Sequence, residues 1–101
     1  MTEKLTQQQI VDQLAILNEG LAGEHLWQIK SEKLVKTFKF KNFIRAFGWM
    51  SQIAICAEKL NHHPEWSNVY NKVEVELTTH DVKGISHLDF KLANKMQLFA
   101  A

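Results

Sequence analysis

Three of the five histidines lie between Glu58 and His80, a stretch that also contains the only proline of the chain. His62 and His63 occur in the run Asn61-His62-His63-Pro64, and the third occurs in the run Thr78-Thr79-His80-Asp81. Histidine is the side chain whose unperturbed pKa lies closest to neutrality. Several histidines brought together therefore indicate proton transfer or metal binding.

The spacing of the three histidines predicts that they converge. Pro64 disfavours helical geometry at the residue before it, so the chain turns there and the side chains of His62 and His63 point apart. His80 follows a strictly alternating strand, and a hairpin formed by the strands between them would return it to the level of residues 62–63. We expect Asn61, Thr78, Thr79 and Asp81 to lie beside the three imidazoles.

Two kinds of chemistry fit such a cluster. Zinc sites commonly use the spacings His-x-His or His-Glu-x-x-His, and neither spacing occurs here, so we expect no metal. No glycine-rich phosphate-binding loop is present, so we expect no nucleotide cofactor. General acid and base catalysis is the favoured hypothesis, with dehydration, isomerisation or tautomerisation as the reaction type. His25 and His87 lie outside the cluster and are predicted to be surface residues.

The elements that must position these residues can be read from capping signals and periodicity. Thr6 with Gln9, and Ser86 with Asp89, match capping boxes that open helices. The predicted elements, in order, are a helix over 7–18, strands over 26–30 and 34–40 joined at 31–33, a helix over 42–60, strands over 66–69 and 72–78, and a last helix after Ser86. The sequence therefore predicts an α+β chain in the order α-β-β-α-β-β-α.

The helix predicted over Asn42 to Leu60 is apolar on two sides, which predicts an oligomer. One stripe contains Phe43, Phe47, Met50, Ala54 and Ala57, and the other contains Ala46, Trp49, Ile53, Cys56 and Leu60. Because a short chain cannot bury both stripes against a single sheet, we expect the second stripe to meet another subunit. The alternative is one wide stripe buried within the monomer.

Composition limits the remaining functions. A chain of 101 residues fits one domain over residues 1–101, and its single cysteine, Cys56, allows no disulfide within the chain. The net charge is +1 and Arg45 is the only arginine, which disfavours direct nucleic-acid binding. The lysine run from Lys30 to Lys41 is predicted to form a solvated face. The N-terminal residues lack a secretory signal and no apolar stretch would span a membrane, so we expect a cytoplasmic protein.

The histidine segment closely resembles the signature of the pterin-4a-carbinolamine dehydratase family. The matching residues are Glu58, His62-His63-Pro64, Trp66, Tyr70, His80 and Asp89, together with the segments 38–43, 45–48 and 68–73. The resemblance implies a four-stranded antiparallel sheet covered on one face by helices. It also implies a homo-oligomer, preferably a tetramer joined through the helix over 42–60.

By the same resemblance, the implied reaction removes water from 4a-hydroxytetrahydropterin in tetrahydrobiopterin recycling, without a cofactor. His62 and His80 would then transfer protons and His63 would hold the pterin, with all three as the catalytic set. Asn61 and residues Thr78, Thr79 and Asp81 would bind the polar edge of the ring, and Glu58 and Asp89 would support the site. Some members also bind a homeodomain transcription factor, so a coactivator that could also act in the nucleus is the alternative hypothesis.

Overall fold

The computed structural model describes residues 2–100, and its element order confirms the prediction. The elements are α1 (Gln7–Leu17), β1 (Gln28–Lys30), β2 (Lys33–Lys39), α2 (Phe43–Leu60), β3 (Glu65–Val69), β4 (Lys72–Leu77) and α3 (His87–Phe99). Short 3-10 turns occupy Gly23–His25 and His80–Val82. No helix within the described residues is long and apolar enough to cross a membrane.

The four strands form one antiparallel sheet in the order β1-β2-β4-β3. Alternate side chains of β4 are buried, namely Val73, Val75 and Leu77, whereas Glu74 and Glu76 between them are exposed. This alternation is the pattern of a sheet that packs on one face only. The predicted α+β class, with helices on one face of the sheet, is confirmed.

Local signals fix where the helices begin. Thr6 and Gln9 form the predicted capping box of α1, and Ser86 and Asp89 form that of α3. Asn42 caps α2, because its side-chain oxygen accepts a hydrogen bond from the Arg45 amide at 2.9 Å. These caps pair backbone N–H groups that have no partner within the helix.

The predicted orientation of α2 is wrong. The stripe that we expected to meet another subunit is largely the one that packs in the monomer core, where Ala46, Trp49 and Ile53 are buried. The Trp49 indole donates to the Met96 carbonyl of α3 at 3.0 Å, which gives the ring a buried polar partner. Apolar side chains remain exposed on the other side of the helix: Phe43, Ile44, Phe47 and Ile55.

The predicted solvated lysine face is also wrong at one position. Lys36 is only 8% exposed and lies on the core face of β2, between Leu34 and Phe38. Successive side chains of a strand point to opposite faces, so residues three apart lie on opposite faces. Lys33 and Lys39 therefore lie on the outer face of β2, and Lys36 lies on the core face. No carboxylate of residues 2–100 pairs with it.

Candidate active site

The end of α2 sets the directions of the two adjacent histidines. Asn61 terminates the helix in the left-handed conformation, with φ 51° and ψ 43°. Asparagine tolerates this conformation better than most residues, which explains an amide side chain at this position. Beyond the turn, His62 is directed into the protein and His63 to its surface, so the two adjacent side chains point apart.

His62 forms a hydrogen-bonded pair with a fully buried carboxylate. Its Nε2 lies 2.6 Å from Oδ1 of Asp89, which is 0% exposed, and His62 itself is 9% exposed. The pair joins the end of α2 to the first turn of α3. A charge-assisted hydrogen bond of this length fixes the orientation of the ring.

The second oxygen of Asp89 fixes the carboxylate in turn. Oδ2 accepts from the Ser86 amide at 2.9 Å and from the Thr79 hydroxyl at 2.8 Å. The hydroxyls of Thr79 and Ser86 are themselves 2.7 Å apart. The capping box of α3 and the contact with His62 therefore use different oxygens of one side chain, so Asp89 serves the fold and the site together.

These contacts determine which nitrogen of His62 is available. Because both oxygens of Asp89 accept hydrogen bonds, the neutral imidazole carries its proton on Nε2 and leaves a lone pair on Nδ1. Nδ1 has no hydrogen-bond partner among residues 2–100, and no fully buried side-chain nitrogen or oxygen there lacks one, so Nδ1 is at least partly exposed. Such a nitrogen can accept a proton while Asp89 compensates the charge that forms on the ring.

His80 forms a second, exposed histidine–carboxylate pair. Its Nε2 is 2.8 Å from Oε2 of Glu65, whose other oxygen is 2.6 Å from the Lys33 ammonium. The hydrogen bond from Lys33, followed by that from His80, lowers the pKa of the Glu65 carboxyl. The same hydrogen bond raises the pKa of Lys33. Glu65 is thus held as a carboxylate beside His80.

His63 lies on the surface, where its Nε2 is 2.9 Å from Oε1 of Glu58 one turn back on α2. Both side chains are exposed, so the pair leaves the ring accessible. Glu58, which was predicted to support the site, thus contacts one of the site histidines. His25 and His87 are exposed and stand apart from these pairs.

The structure brings the three site histidines to one region through shared partners. Asp89 contacts both His62 and Thr79, the residue before His80. Glu65, two residues after His63, contacts His80. The predicted convergence of residues 62–63 with residues 78–80 thus agrees with the contacts.

Besides the histidines, four residues were predicted to bind the polar edge of the substrate, and the structure gives them different positions. Asn61 and Asp81 are exposed. The Thr79 hydroxyl is buried and bonded to Asp89, and the Thr78 hydroxyl lies 3.2 Å from the Gly84 carbonyl. Both threonine hydroxyls are engaged within the protein, and so is the Thr79 backbone, whose N–H donates to the Gly84 carbonyl at 2.8 Å and whose carbonyl accepts from the Val82 amide at 3.1 Å.

Sequence reasoning missed three residues of the site. Glu65 directly follows Pro64, and a carboxylate beside a histidine cluster was a signal that could have been used. Lys33 lies on another strand, and only the register that pairs Leu34 with Leu77 brings it near. Ser86 was identified only as a cap. No group of three or more metal-ligating side chains occurs in the described part of the chain.

Comparison with known proteins identifies the family of the chain. The family profile described as pterin 4 alpha carbinolamine dehydratase matches residues 3–99. The chain belongs to this family. A crystal structure of a transcriptional coactivator/pterin dehydratase from Brucella melitensis superposes on the chain with a TM-score of 0.87 and 43% identity, covering 97% of this chain and 99% of the other.

Several curated relatives carry the provisional name pterin-4-alpha-carbinolamine dehydratase, and two of them illustrate the similarity. One, from Sinorhizobium fredii, is 50% identical over 99 residues, which is 98% of this chain and 90% of its own length. The other, from Jannaschia, is 69% identical over 65 residues, 64% of this chain and 66% of its own length. The resemblance of the histidine segment to the pterin-4a-carbinolamine dehydratase family is thus confirmed at the level of the whole chain.

Proposed function

We propose that this protein is a hydro-lyase that converts 4a-hydroxytetrahydropterin to quinonoid dihydropterin and water, as part of tetrahydrobiopterin recycling. The observation that carries the proposal is the buried pair of His62 and Asp89, which leaves one imidazole nitrogen open beside two accessible histidines. Membership of the pterin 4 alpha carbinolamine dehydratase family supports the choice of substrate.

The reaction needs two proton transfers. The hydroxyl on C4a leaves as water once its oxygen receives a proton, and removal of the proton on N5 allows the double bond between C4a and N5 to form. An acid and a base placed on either side of that bond accelerate both steps, and each positioned group contributes about 100-fold or more.

The geometry favours a division of these roles. His62 acts as the base, because Asp89 holds its proton on Nε2 and leaves Nδ1 free to accept the N5 proton. His80 acts as the acid, since its 77% exposed side chain regains a proton from solvent after each turnover and Glu65 compensates its charge. His63 holds the pterin, and Asn61, Asp81 and the backbone of Thr78 bind its polar edge.

The test is the dehydration rate of freshly generated 4a-hydroxytetrahydropterin, followed by ultraviolet absorbance. We expect His62→Ala and His80→Ala to lower kcat by about 100-fold or more. His25→Ala and His87→Ala are matched controls, because both remove an exposed histidine outside the cluster. Equal rates for all four variants, each shown to be folded, would overturn the assignment.

The exposed face of α2 supports a second proposal, which concerns assembly. Ile44 is 79% exposed, and Phe43, Phe47 and Ile55 are also exposed on this helix. Neighbouring apolar side chains that are exposed together mark interaction surfaces. We propose that this face joins copies of the chain into a tetramer, and that a coactivator role, if present, uses the same face to bind a homeodomain transcription factor.

Sedimentation of Phe47→Glu and Ile55→Glu tests this assembly. We expect both variants to lose the tetramer, because each places a charge in the proposed interface, whereas the control Val69→Glu on β3 changes an exposed apolar residue elsewhere. A tetramer that persists in both α2 variants would contradict the proposal. Recovery of a smaller form that retains the dehydratase rate would separate assembly from catalysis.

A further inference from the structure

Lys36 is a buried ammonium with no negative partner among residues 2–100. Its Nζ donates to Oε1 of Gln97 at 2.7 Å and lies 4.6 Å from the centre of the Phe38 ring. The same Gln97 oxygen also accepts from the Trp27 indole at 3.0 Å. The ammonium also lies 5.9 Å from the centre of the Trp27 ring. An ammonium has three hydrogens, so one shared amide oxygen and two aromatic rings leave its hydrogen-bonding capacity and its charge incompletely compensated.

This environment disfavours the charged form of the side chain. Burial lowers the pKa of Lys36 below its ordinary value, and no carboxylate opposes the effect. A buried charge is normally paired. An anion placed against Nζ would supply the partner that the described residues do not.

A cavity of about 490 Å³ lies at this position. Lys36 and its hydrogen-bond partner Gln97 both line this cavity, which places the Lys36 ammonium at the inner wall. The stacked rings of Phe38 and Phe40 form an apolar side of the cavity, with ring centres 6.1 Å apart and ring planes inclined by 15°. Three further basic side chains and one acid line the same cavity: His25, Lys39, Lys72 and Glu24.

The cavity is separate from the histidine site. The pairing of β2 with β1 ends at Val35, and the cavity lies along the part of β2 beyond that residue. The cavity shares no lining residue with the three histidine–carboxylate pairs. A planar apolar body would pack along the phenylalanine rings, and a carboxylate would meet the ammonium at the inner wall. The basic side chains would attract such a molecule.

We propose that this cavity is a binding site for a small planar organic carboxylate, with the carboxylate paired to Lys36 and the ring against Phe38 and Phe40. The proposal does not depend on the dehydratase reaction. It assigns to Lys36 a role in binding rather than in the chemistry of the histidine cluster.

Benzoate, its neutral analogue benzamide and inorganic phosphate are suitable probes, titrated into the full-length protein and followed by NMR chemical shifts. We expect saturable binding of benzoate that shifts Phe38, Phe40 and Gln97, and at least about tenfold weaker binding of benzamide and phosphate. In the wild type, bound benzoate should also raise the pKa of the Lys36 ammonium, a readout that needs no variant.

Lys36→Met should weaken benzoate binding by about tenfold or more, because it keeps the length of the side chain and removes its charge. Lys95→Met removes a lysine that is exposed and does not line the cavity, and it should bind as the wild type does. Benzoate affinity unchanged in Lys36→Met, or equal affinity for benzoate and either other probe, would overturn the proposal. An absence of saturable benzoate binding to the wild type would do the same.

Discussion

Replacing Asp89 by asparagine should reverse the tautomer of His62. In the wild type, three donors point at the carboxylate, from His62, Thr79 and the Ser86 amide. Asparagine offers one oxygen and one NH2 group. The Ser86 backbone N–H cannot become an acceptor, so the amide oxygen must take the position of Oδ2 and the NH2 group must face His62.

A donor opposite Nε2 forces the neutral ring to carry its proton on Nδ1. The nitrogen that accepts the N5 proton in our proposal is then occupied, and the charge that stabilised the imidazolium is gone. We expect kcat to fall by about 100-fold to 10,000-fold, the range for loss of a positioned base or of its correct tautomer. Loss of one charge-assisted hydrogen bond should cost about 2 kcal/mol of stability and lower Tm by roughly 10 °C.

Two measurements check this prediction. Nitrogen-15 NMR of labelled histidine reports the tautomer of His62 directly, and ultraviolet absorbance reports the dehydration rate. Asp12→Asn is the matched control, since Asp12 is an exposed residue of α1 whose side chain accepts a hydrogen bond from Gln8. A folded Asp89→Asn protein with the proton still on Nε2 and a rate within about fivefold of wild type would refute the reasoning.

Three smaller perturbations follow from the same contacts. Lys33→Met should raise the pKa of Glu65 toward its ordinary value, as seen by carbon-13 NMR. Because the ion pair lowers this pKa in the wild type, the pair stabilises the fold above about pH 4.5 and ceases to do so as pH falls through the lowered value. The stability curves of wild type and variant should therefore converge in acid. Glu65→Gln should lower kcat by no more than about fivefold, because an exposed pair contributes about 1 kcal/mol or less, and a larger loss in the pH–rate profile would contradict this. Asn61→Ala should lower the free energy of unfolding by about 1 kcal/mol in denaturant titrations, and Asn61→Gly should not, because only alanine is strained at φ 51°.

Local signals in the sequence predicted much of the fold. The capping boxes at Thr6 and Ser86 gave helix starts that the structure confirms, and the strict alternation after Lys72 gave a strand with one buried face. These features depend on neighbouring residues only. For the same reason they are visible without knowledge of the packing.

Two errors arose where distant packing decides, and one arose from a local pattern. Both stripes of α2 are apolar, and the choice between them depends on α3, whose Met96 carbonyl receives the Trp49 indole hydrogen. Lys36 was assigned with the other lysines of its run to a wet face, although strand alternation directs it to the core. In the site, the histidines themselves were recognisable, but the partnership of Glu65 with His80 depends on side-chain geometry that spacing does not show.

The most direct test of the central claim is the initial rate of dehydration of 4a-hydroxytetrahydropterin as a function of protein concentration, with His62→Ala at matching concentrations as the reference. We predict a rate that rises in proportion to the wild-type protein and stays near the buffer rate with the variant. A wild-type rate equal to that of buffer would contradict the assignment as a dehydratase. An equal acceleration by both proteins would contradict the role of His62.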